Sequence, residues 1–299
     1  MIYFKHLHIC KRLKILSVTA FLLLALLCSC REDITLGIPP YETKLAVHCI
    51  LQPGVRPVLF LNRSKGYFEY TDTSTDINYI DDATVILTDV TAGWIDTLKS
   101  AFMTFGGGST HGYYFCDKQI ISGHTYKLNV WHKGRHVSAE TTVPDPVVIK
   151  NVTFTADSSN YIDPLYQMKY IFNIEFEDIA GQQNAYKIIS NTRNAITSWH
   201  EDERNKKYLY DYGNDGATLT YNYYQWVYFK PADMVYARFI VENSTAATAE
   251  YTQALINQVN SRDENEFFAE PVILKHNING GLGIFGAKSI SQPFSVRIR

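Results

Sequence analysis

The chain has 299 residues, and 30 Asp plus Glu stand against 28 Lys plus Arg. Without a basic excess it is a poor candidate for nucleic-acid binding, because contacts to phosphates require a cationic surface. Its 21 Tyr and 16 Phe favour strands over helices. Beyond the N-terminal region, no apolar run reaches the roughly 20 residues that a membrane-spanning helix needs.

The first 29 residues have the features of a signal peptide. Four basic residues between positions 5 and 14 precede an apolar run, Ile15–Leu27. At about 13 residues this run matches the core of a signal peptide and is shorter than a bilayer-spanning helix. Removal of residues 1–29 leaves 24 Lys plus Arg against 30 Asp plus Glu, a net charge of −6.

The segment Leu27–Cys30 resembles a bacterial lipobox, in which the cysteine is acylated and becomes the new N-terminus. Cys30 fits this role better than Cys28, because bulky Leu27 lies directly before Cys28. The alternative is an ordinary secretion signal with incidental cysteines. Two or more acyl chains would hold the protein stably on a membrane. Glu32 and Asp33 resemble an outward-export tag, and the alternative is a stray charge run at the start of a polar tether.

Residues 30–42 are predicted to be a tether, and residues 43–144 an immunoglobulin-like β-sandwich. Short alternating segments separated by turn residues indicate the sandwich. Hairpins are predicted at 91–93 and at 133–134. Tyr126 opens a late strand, a position typical of a tyrosine corner, in which the hydroxyl bonds back to the main chain.

Residues 145–299 are predicted to form a second β-rich domain with one helix near 246–261. The prolines at 144 and 146 mark the boundary, since proline interrupts strand pairing. The helix is expected to begin after Ser244 or Thr245 and to bury a stripe at 3–4 residue spacing. That stripe consists of Tyr251, Leu255, Ile256 and Val259.

An aromatic segment, residues 208–229, is the best candidate for a ligand or partner surface, and we interpret it as a hairpin with a bulge near 223–224. Aromatic rings offer rigid contact area, and the polar tips of Tyr and Trp form hydrogen bonds. The alternative is that alternate residues build a sheet core. The candidate side chains are Tyr208, Tyr210, Tyr212, Tyr221, Tyr223 and Trp226.

Two other cysteines, Cys49 and Cys116, lie in predicted strands. An extracytoplasmic location would permit a disulfide between them. The alternative is that both are small core residues.

The sequence predicts neither a catalytic site nor a metal or cofactor. The run 281–286 matches GxGxxG, but a dinucleotide site would need a following helix and an acidic residue. We interpret it as a glycine-rich bend that packs closely on neighbouring strands. His132 and His136 flank a predicted turn without a third metal ligand, which favours an exposed hairpin tip.

Several segments after the leader carry a family resemblance, namely 41–47, 123–128 with 142–144, 268–272 and 277–287. They resemble the domain-of-unknown-function family numbered 4249, whose members are Bacteroidetes-type lipoproteins. The resemblance covers nearly the whole chain after the leader. It implies an outer-membrane lipoprotein encoded beside TonB-dependent transporters, and it assigns no catalytic residues.

We therefore expect a lipid-anchored surface protein that is not an enzyme and that serves as a binding accessory to a TonB-dependent transporter. A structural or adhesive surface lipoprotein is the alternative, and a glycan or peptide hydrolase ranks third.

Overall fold

Alternating apolar residues build strands throughout the chain. The computed structural model describes residues 41–66, 79–104, 110–162, 167–194, 200–201, 207–211, 215–229, 234–264 and 273–299. Cys30 and most of the predicted tether lie outside these ranges. Within them the protein is mostly β with one helix, as predicted.

Two sheets face each other in the N-terminal half. Their strands are β1 Leu45–Leu51, β2 Val58–Arg63, β3 Thr84–Asp89, β4 Trp94–Thr97, β5 Lys99–Thr104, β6 Thr110–Phe115, β7 Thr125–His132 and β8 Arg135–Thr142. One sheet contains the order β1-β2-β6-β5 and the other is β4-β3-β7-β8. These are the A-B-E-D and C′-C-F-G orders of an immunoglobulin-like sandwich, which confirms that prediction.

The predicted tyrosine corner is present at the start of β7. Tyr126 is fully buried, and its hydroxyl accepts a hydrogen bond from the Ile121 N–H at 3.0 Å. Burial, together with the nearby Asp89 carboxylate, raises the pKa of Tyr126 to about 12. The corner ties the loop before β7 to the sandwich core.

The C-terminal half has a second pair of facing sheets. Its elements are β9 Ile149–Ile162, β10 Gln167–Glu177, β11 Asn184–Asn194, β12 His200–Glu201, β13 Leu209–Tyr210, β14 Thr218–Tyr228, β15 Val235–Thr245, α1 Ala246–Glu264, β16 Leu282–Ile290 and β17 Phe294–Arg297. A three-stranded sheet, β14-β10-β9, packs on the β11-β15 region around a core rich in Phe and Tyr. Phe172 and Phe239 meet at the centre of this core, with ring centroids 4.8 Å apart.

Strand β16 joins the two halves into one large sheet. It runs parallel to β1, with Ala46 paired to Leu282, and antiparallel to β15, with Asn243 paired to Ser289. The resulting order is β12-β11-β15-β16-β1-β2-β6-β5. Phe285 and Ala287 of β16 complete the core of the N-terminal sandwich. The predicted division at residue 144 is thus crossed by a C-terminal strand, and residues 42–299 form one compact unit.

Glycines allow β16 to approach its neighbours closely. A Cβ at Gly283, where φ is +99°, would lie 1.9 Å from the Val47 carbonyl oxygen. A Cβ at Gly286 would lie 2.1 Å from the Thr248 hydroxyl oxygen. These contacts confirm the structural interpretation of the glycine run.

Helix α1 lies on the outer side of β16, opposite the sandwich cores. Thr245 caps it, and the Thr248 hydroxyl accepts a hydrogen bond from the Ala287 N–H at 3.0 Å. Tyr251 is buried, but Val259 is 60% exposed. Leu255 and Ile256 are half-buried, so burial decreases along the described part of the helix, and the predicted apolar stripe was wrong at Val259. Among the residues that the structure describes, no helix has the length and apolar character needed to cross a membrane.

Candidate binding surface

The outer face of the three-stranded sheet carries an aromatic row on β14. Burial alternates along this strand, so its odd-numbered side chains face the core and its even-numbered ones face outward. Tyr224 is 59% exposed and Tyr228 is 63% exposed, with Trp226 half-buried between them. Because side chains two residues apart on a strand share a face, these three rings form one row, which we call the β14 aromatic row.

Strand β10 adds a cation and an aliphatic side chain beside this row. Lys169 pairs with Trp226 in the register, and its Nζ lies 4.8 Å from the ring centroid of Tyr224. Ile171 pairs with Tyr224 and is 36% exposed. The cation holds the Tyr224 ring by a cation–π contact. The result is a rigid surface with apolar ring faces, two phenolic hydroxyls and one indole N–H.

The predicted aromatic hairpin was wrong. Strand β13 pairs with β11, whereas β14 pairs with β10, so the two aromatic segments belong to different sheets. The predicted bulge near 223–224 was wrong as well, since β10 and β14 pair continuously over eleven positions. Consecutive aromatic residues here occupy alternate faces of a regular strand.

The predicted surface residues separate accordingly. Tyr223 is buried in the core, with its ring centroid 6.4 Å from that of Phe239, and Tyr221 packs against the same core. Trp226 lies on the outer face. Tyr210 lines a shallow groove of about 350 Å³ beside α1. Tyr212 lies outside the described residues.

Tyr208 belongs to a buried polar cluster around Glu242. Its hydroxyl donates to Glu242 Oε1 at 2.6 Å. The Nζ atoms of Lys288 and Lys187 lie 2.8 Å and 3.5 Å from the same carboxylate, whose side chain is 1% exposed. Burial alone would raise the pKa of Glu242, but the two ammonium groups and the hydrogen bonds lower it. Burial and the carboxylate together raise the pKa of Tyr208.

Among the residues that the structure describes, one group of carboxylates has the geometry to hold a metal ion, and it consists of three aspartates. Carboxylate oxygens of Asp178, Asp211 and Asp215 lie within 4.8 Å of one another. Oxygen ligands of this kind suit Ca²⁺ or Mg²⁺. Asp178 is already hydrogen-bonded to the Tyr186 hydroxyl and to the Gly216 N–H, which gives it a structural role at this turn. No spacing pattern predicted this group, since Asp178 follows β10 whereas Asp211 and Asp215 lie between β13 and β14.

Cys49 and Cys116 are both buried free thiols. Cys49 is in β1 and Cys116 follows β6, and these two strands both pair with β2. Strands separated by a third strand lie about 9.6 Å apart, whereas the Cα atoms of a disulfide lie within about 7 Å. The bridge considered from sequence is therefore not formed in this structure. Burial, with a contribution from Cys116, raises the pKa of Cys49 to about 12.

The two histidines of the β7–β8 hairpin have separate partners. His132 Nε2 lies 2.8 Å from Asp82 Oδ1, whereas His136 stacks on Trp131 with ring centroids 4.7 Å apart. Lys133 and Gly134 both have positive φ, as a tight two-residue turn requires. The hairpin tip predicted from sequence is confirmed.

Comparison with known proteins assigns a family without assigning an activity. No curated protein matches the chain. The family profile described as "Domain of unknown function (DUF4249)" matches residues 31–292. This match spans the sandwich, the β14 aromatic row, α1 and β16. Because it covers most of the sequence, the chain belongs to the DUF4249 family.

Proposed function

We propose that this protein is a lipid-anchored protein of the bacterial cell exterior that binds a ligand or partner through the β14 aromatic row and serves a TonB-dependent outer-membrane transporter. The observation that carries the binding role is the row itself. Exposed Tyr224 and Tyr228 flank Trp226 on a strand whose opposite face packs into the core.

The exposure of these rings is the physical argument for binding. Water covers apolar ring faces at a free-energy cost that burial against a partner removes. Tyr and Trp are enriched among residues that dominate interface affinity, because they bury large area with little loss of side-chain entropy. The neighbouring Ile171 and the stem of Lys169 extend this contact surface across β10.

The location rests on the N-terminal residues. A basic and apolar leader directly before Cys30 supports acylation of this cysteine and anchoring in a membrane. Glu32 and Asp33 support export to the outer face. Family membership supports the transporter as partner, through the resemblance described above.

The partner role is tested in cells that carry tagged full-length protein. Outer membranes are purified and solubilised, the protein is captured through its tag, and the proteins that co-purify with it are identified. The double variant Tyr224→Ala and Tyr228→Ala removes the ring faces without touching the core. We expect it to lose a co-purifying transporter that the wild type retains. The matched control is Ile95→Ala with Trp131→Ala, two exposed side chains on the β4-β3-β7-β8 sheet. Retention of the transporter by the row variant, or its absence from the wild type, would contradict the proposal.

The location is tested by protease treatment of intact cells. Wild-type protein should be digested from the outside, and Cys30→Ala should abolish its outer-membrane attachment. Full protection of the wild type would exclude surface display.

A further inference from the structure

The two edges of the three-stranded sheet differ in how they are protected. The pairing of β9 with β10 is interrupted by two register shifts, and β9 carries the charged residues Lys150 and Asp157. Irregular pairing and charge are features that keep an edge strand from pairing with other chains. The β9 edge is therefore protected.

Strand β14 lacks these features. It pairs with β10 over eleven consecutive positions without a shift, and none of its residues is charged or proline. Among the described residues its strand pairing is to β10 alone. About half of the N–H and C=O groups of an antiparallel edge strand point away from its partner. Strand β14 thus presents a long, regular row of main-chain donors and acceptors.

We propose that β14 is a docking edge, to which an extended segment of a partner protein adds as a further strand of the β14-β10-β9 sheet. This inference rests on the proposed function and names how the partner is held. Main-chain hydrogen bonds would supply affinity, and alternate side chains would supply specificity. The β14 aromatic row would then lie beside the outward side chains of the added strand.

Contact area favours an extended segment over a second copy of this chain. Eleven residues of strand span about 37 Å, and a strip about 10 Å wide offers roughly 370 Å². A stable interface between folded proteins buries about 800 Å² on each partner. A rigid second copy that meets this edge alone would bury too little. A flexible segment can also lay alternate side chains over Tyr224 and Trp226.

The charge of the edge also constrains the occupant. The outward side chains of β14 are neutral, namely Thr218, Thr220, Asn222, Tyr224, Trp226 and Tyr228. Lys169, the cation beside the row, is already directed at the Tyr224 ring. A partner segment with apolar or aromatic residues at alternate positions fits this surface, whereas a run of like charges does not.

The test is residue-resolved hydrogen exchange on the purified full-length protein. The probe is a synthetic peptide with the sequence of residues 167–177, the strand that already pairs with β14. In the protein alone, the β14 amides that point away from β10 should exchange rapidly. With the peptide at ten times its dissociation constant, their exchange should slow about tenfold.

Two controls separate main-chain pairing from side-chain contact. A peptide of the same sequence that is N-methylated at alternate residues should give no protection. In the protein, Thr220→Lys on the β14 edge should abolish protection. Thr155→Lys, an equally exposed threonine on β9, should leave it intact.

Three results would overturn the docking edge. They are slow exchange of the outward β14 amides in the protein alone, no protection by the peptide, and equal protection by the N-methylated peptide. None of these results contradicts the proposed function, provided that the Tyr224 and Tyr228 variant still loses the co-purifying transporter. If the peptide still pairs with β14 but the Tyr224 and Tyr228 variant keeps the transporter, the transporter role is contradicted instead.

Discussion

His124 Nδ1 lies 2.8 Å from Oδ2 of Asp89, a carboxylate with no exposed surface at the end of β3. The other oxygen, Oδ1, accepts a hydrogen bond from the Ala92 N–H at 2.8 Å. Burial alone would raise the pKa of Asp89, but the hydrogen bonds from Ala92 and His124 outweigh it and lower the pKa. The pair therefore links the β3–β4 turn to the start of β7.

The lowered pKa of Asp89 predicts a loss of stability in acid. A carboxylate with a lower pKa in the folded state stabilises the fold above its unfolded pKa of about 3.9. This contribution is lost as the pH falls through the folded pKa. Asp89→Asn should lower the free energy of unfolding at pH 7 and weaken its dependence on pH below about 4. Urea denaturation across a pH series measures both, and an unchanged acid slope would contradict the assignment.

Tyr126→Phe should destabilise the N-terminal sandwich. The variant keeps the buried ring but leaves the Ile121 N–H without its acceptor, at an expected cost of about 1–3 kcal/mol. Thermal denaturation compares it with Tyr224→Phe, an exposed tyrosine expected to change stability by less than about 0.5 kcal/mol. Equal stability of the two variants would show that the corner contributes nothing.

Glu242→Gln should be strongly destabilising, because it leaves Lys187 and Lys288 without their buried counter-charge. Loss of one partner from a fully buried ion pair costs about 3–5 kcal/mol, and we expect roughly 2–3 kcal/mol here because the Lys187 and Lys288 side chains are 20% and 31% exposed. Glu250→Gln is the control, since its pair with Lys275 is exposed and such pairs contribute about 0–1 kcal/mol. Chemical denaturation of both variants gives the difference, and a similar small loss in each would argue against a structural role for the cluster.

Gly283→Ala should disrupt the pairing of β16 with β1. The added Cβ would overlap the Val47 carbonyl oxygen at an unfavourable positive φ, with an expected cost of at least about 3 kcal/mol. Gly54→Ala also has positive φ, at +73°, but its Cβ would meet open space. It should cost about 1 kcal/mol. If the two variants lowered the melting temperature equally, the loss of stability would come from backbone strain alone and not from the contact with Val47.

Cys49 and Cys116 should behave as unreactive thiols in the folded protein. Both are buried, and burial raises the pKa of each, which suppresses the reactive thiolate. A thiol reagent should modify neither in native protein and both after unfolding without reductant. If no thiol appeared after unfolding, a disulfide would be present in the purified protein.

Local sequence patterns predicted local structure well. The β7–β8 hairpin, the start of α1 and the strand at 167–177 follow from alternation, turn residues and a capping threonine. The parallel pairing of β16 with β1 did not follow, because no local pattern specifies a partner more than 200 residues away. The prediction that Val259 is buried was wrong for a related reason. Helical periodicity predicts which face of a helix is apolar, but not how far along the helix that face is covered.

The candidate surface was located only in part. Aromatic density identified the segment that contains β14, but Tyr223 and Tyr221 proved to be core residues. The most exposed rings, Tyr224 and Tyr228, were absent from the predicted set. The available signal was the alternation of core-facing residues along β14, namely Leu219, Tyr221, Tyr223, Gln225 and Val227. The uncharged but polar Gln225 interrupts this apolar face and concealed the alternation. Ser190 satisfies that buried Gln225 with a hydrogen bond at 2.7 Å, which only tertiary contacts could reveal.

The parallel pairing of β1 with β16 makes the N-terminal sandwich depend on residues that are synthesised more than 200 positions later. Strand β1 is synthesised more than 200 residues before its permanent neighbour β16, so the sandwich sheet keeps an open flank until residues 282–287 have followed. A chain terminated before Leu282 would lack Phe285 and Ala287 from that core and would expose the flank of β1 to aggregation. A stop or a proteolytic cut before Leu282 is therefore expected to destabilise the N-terminal sandwich.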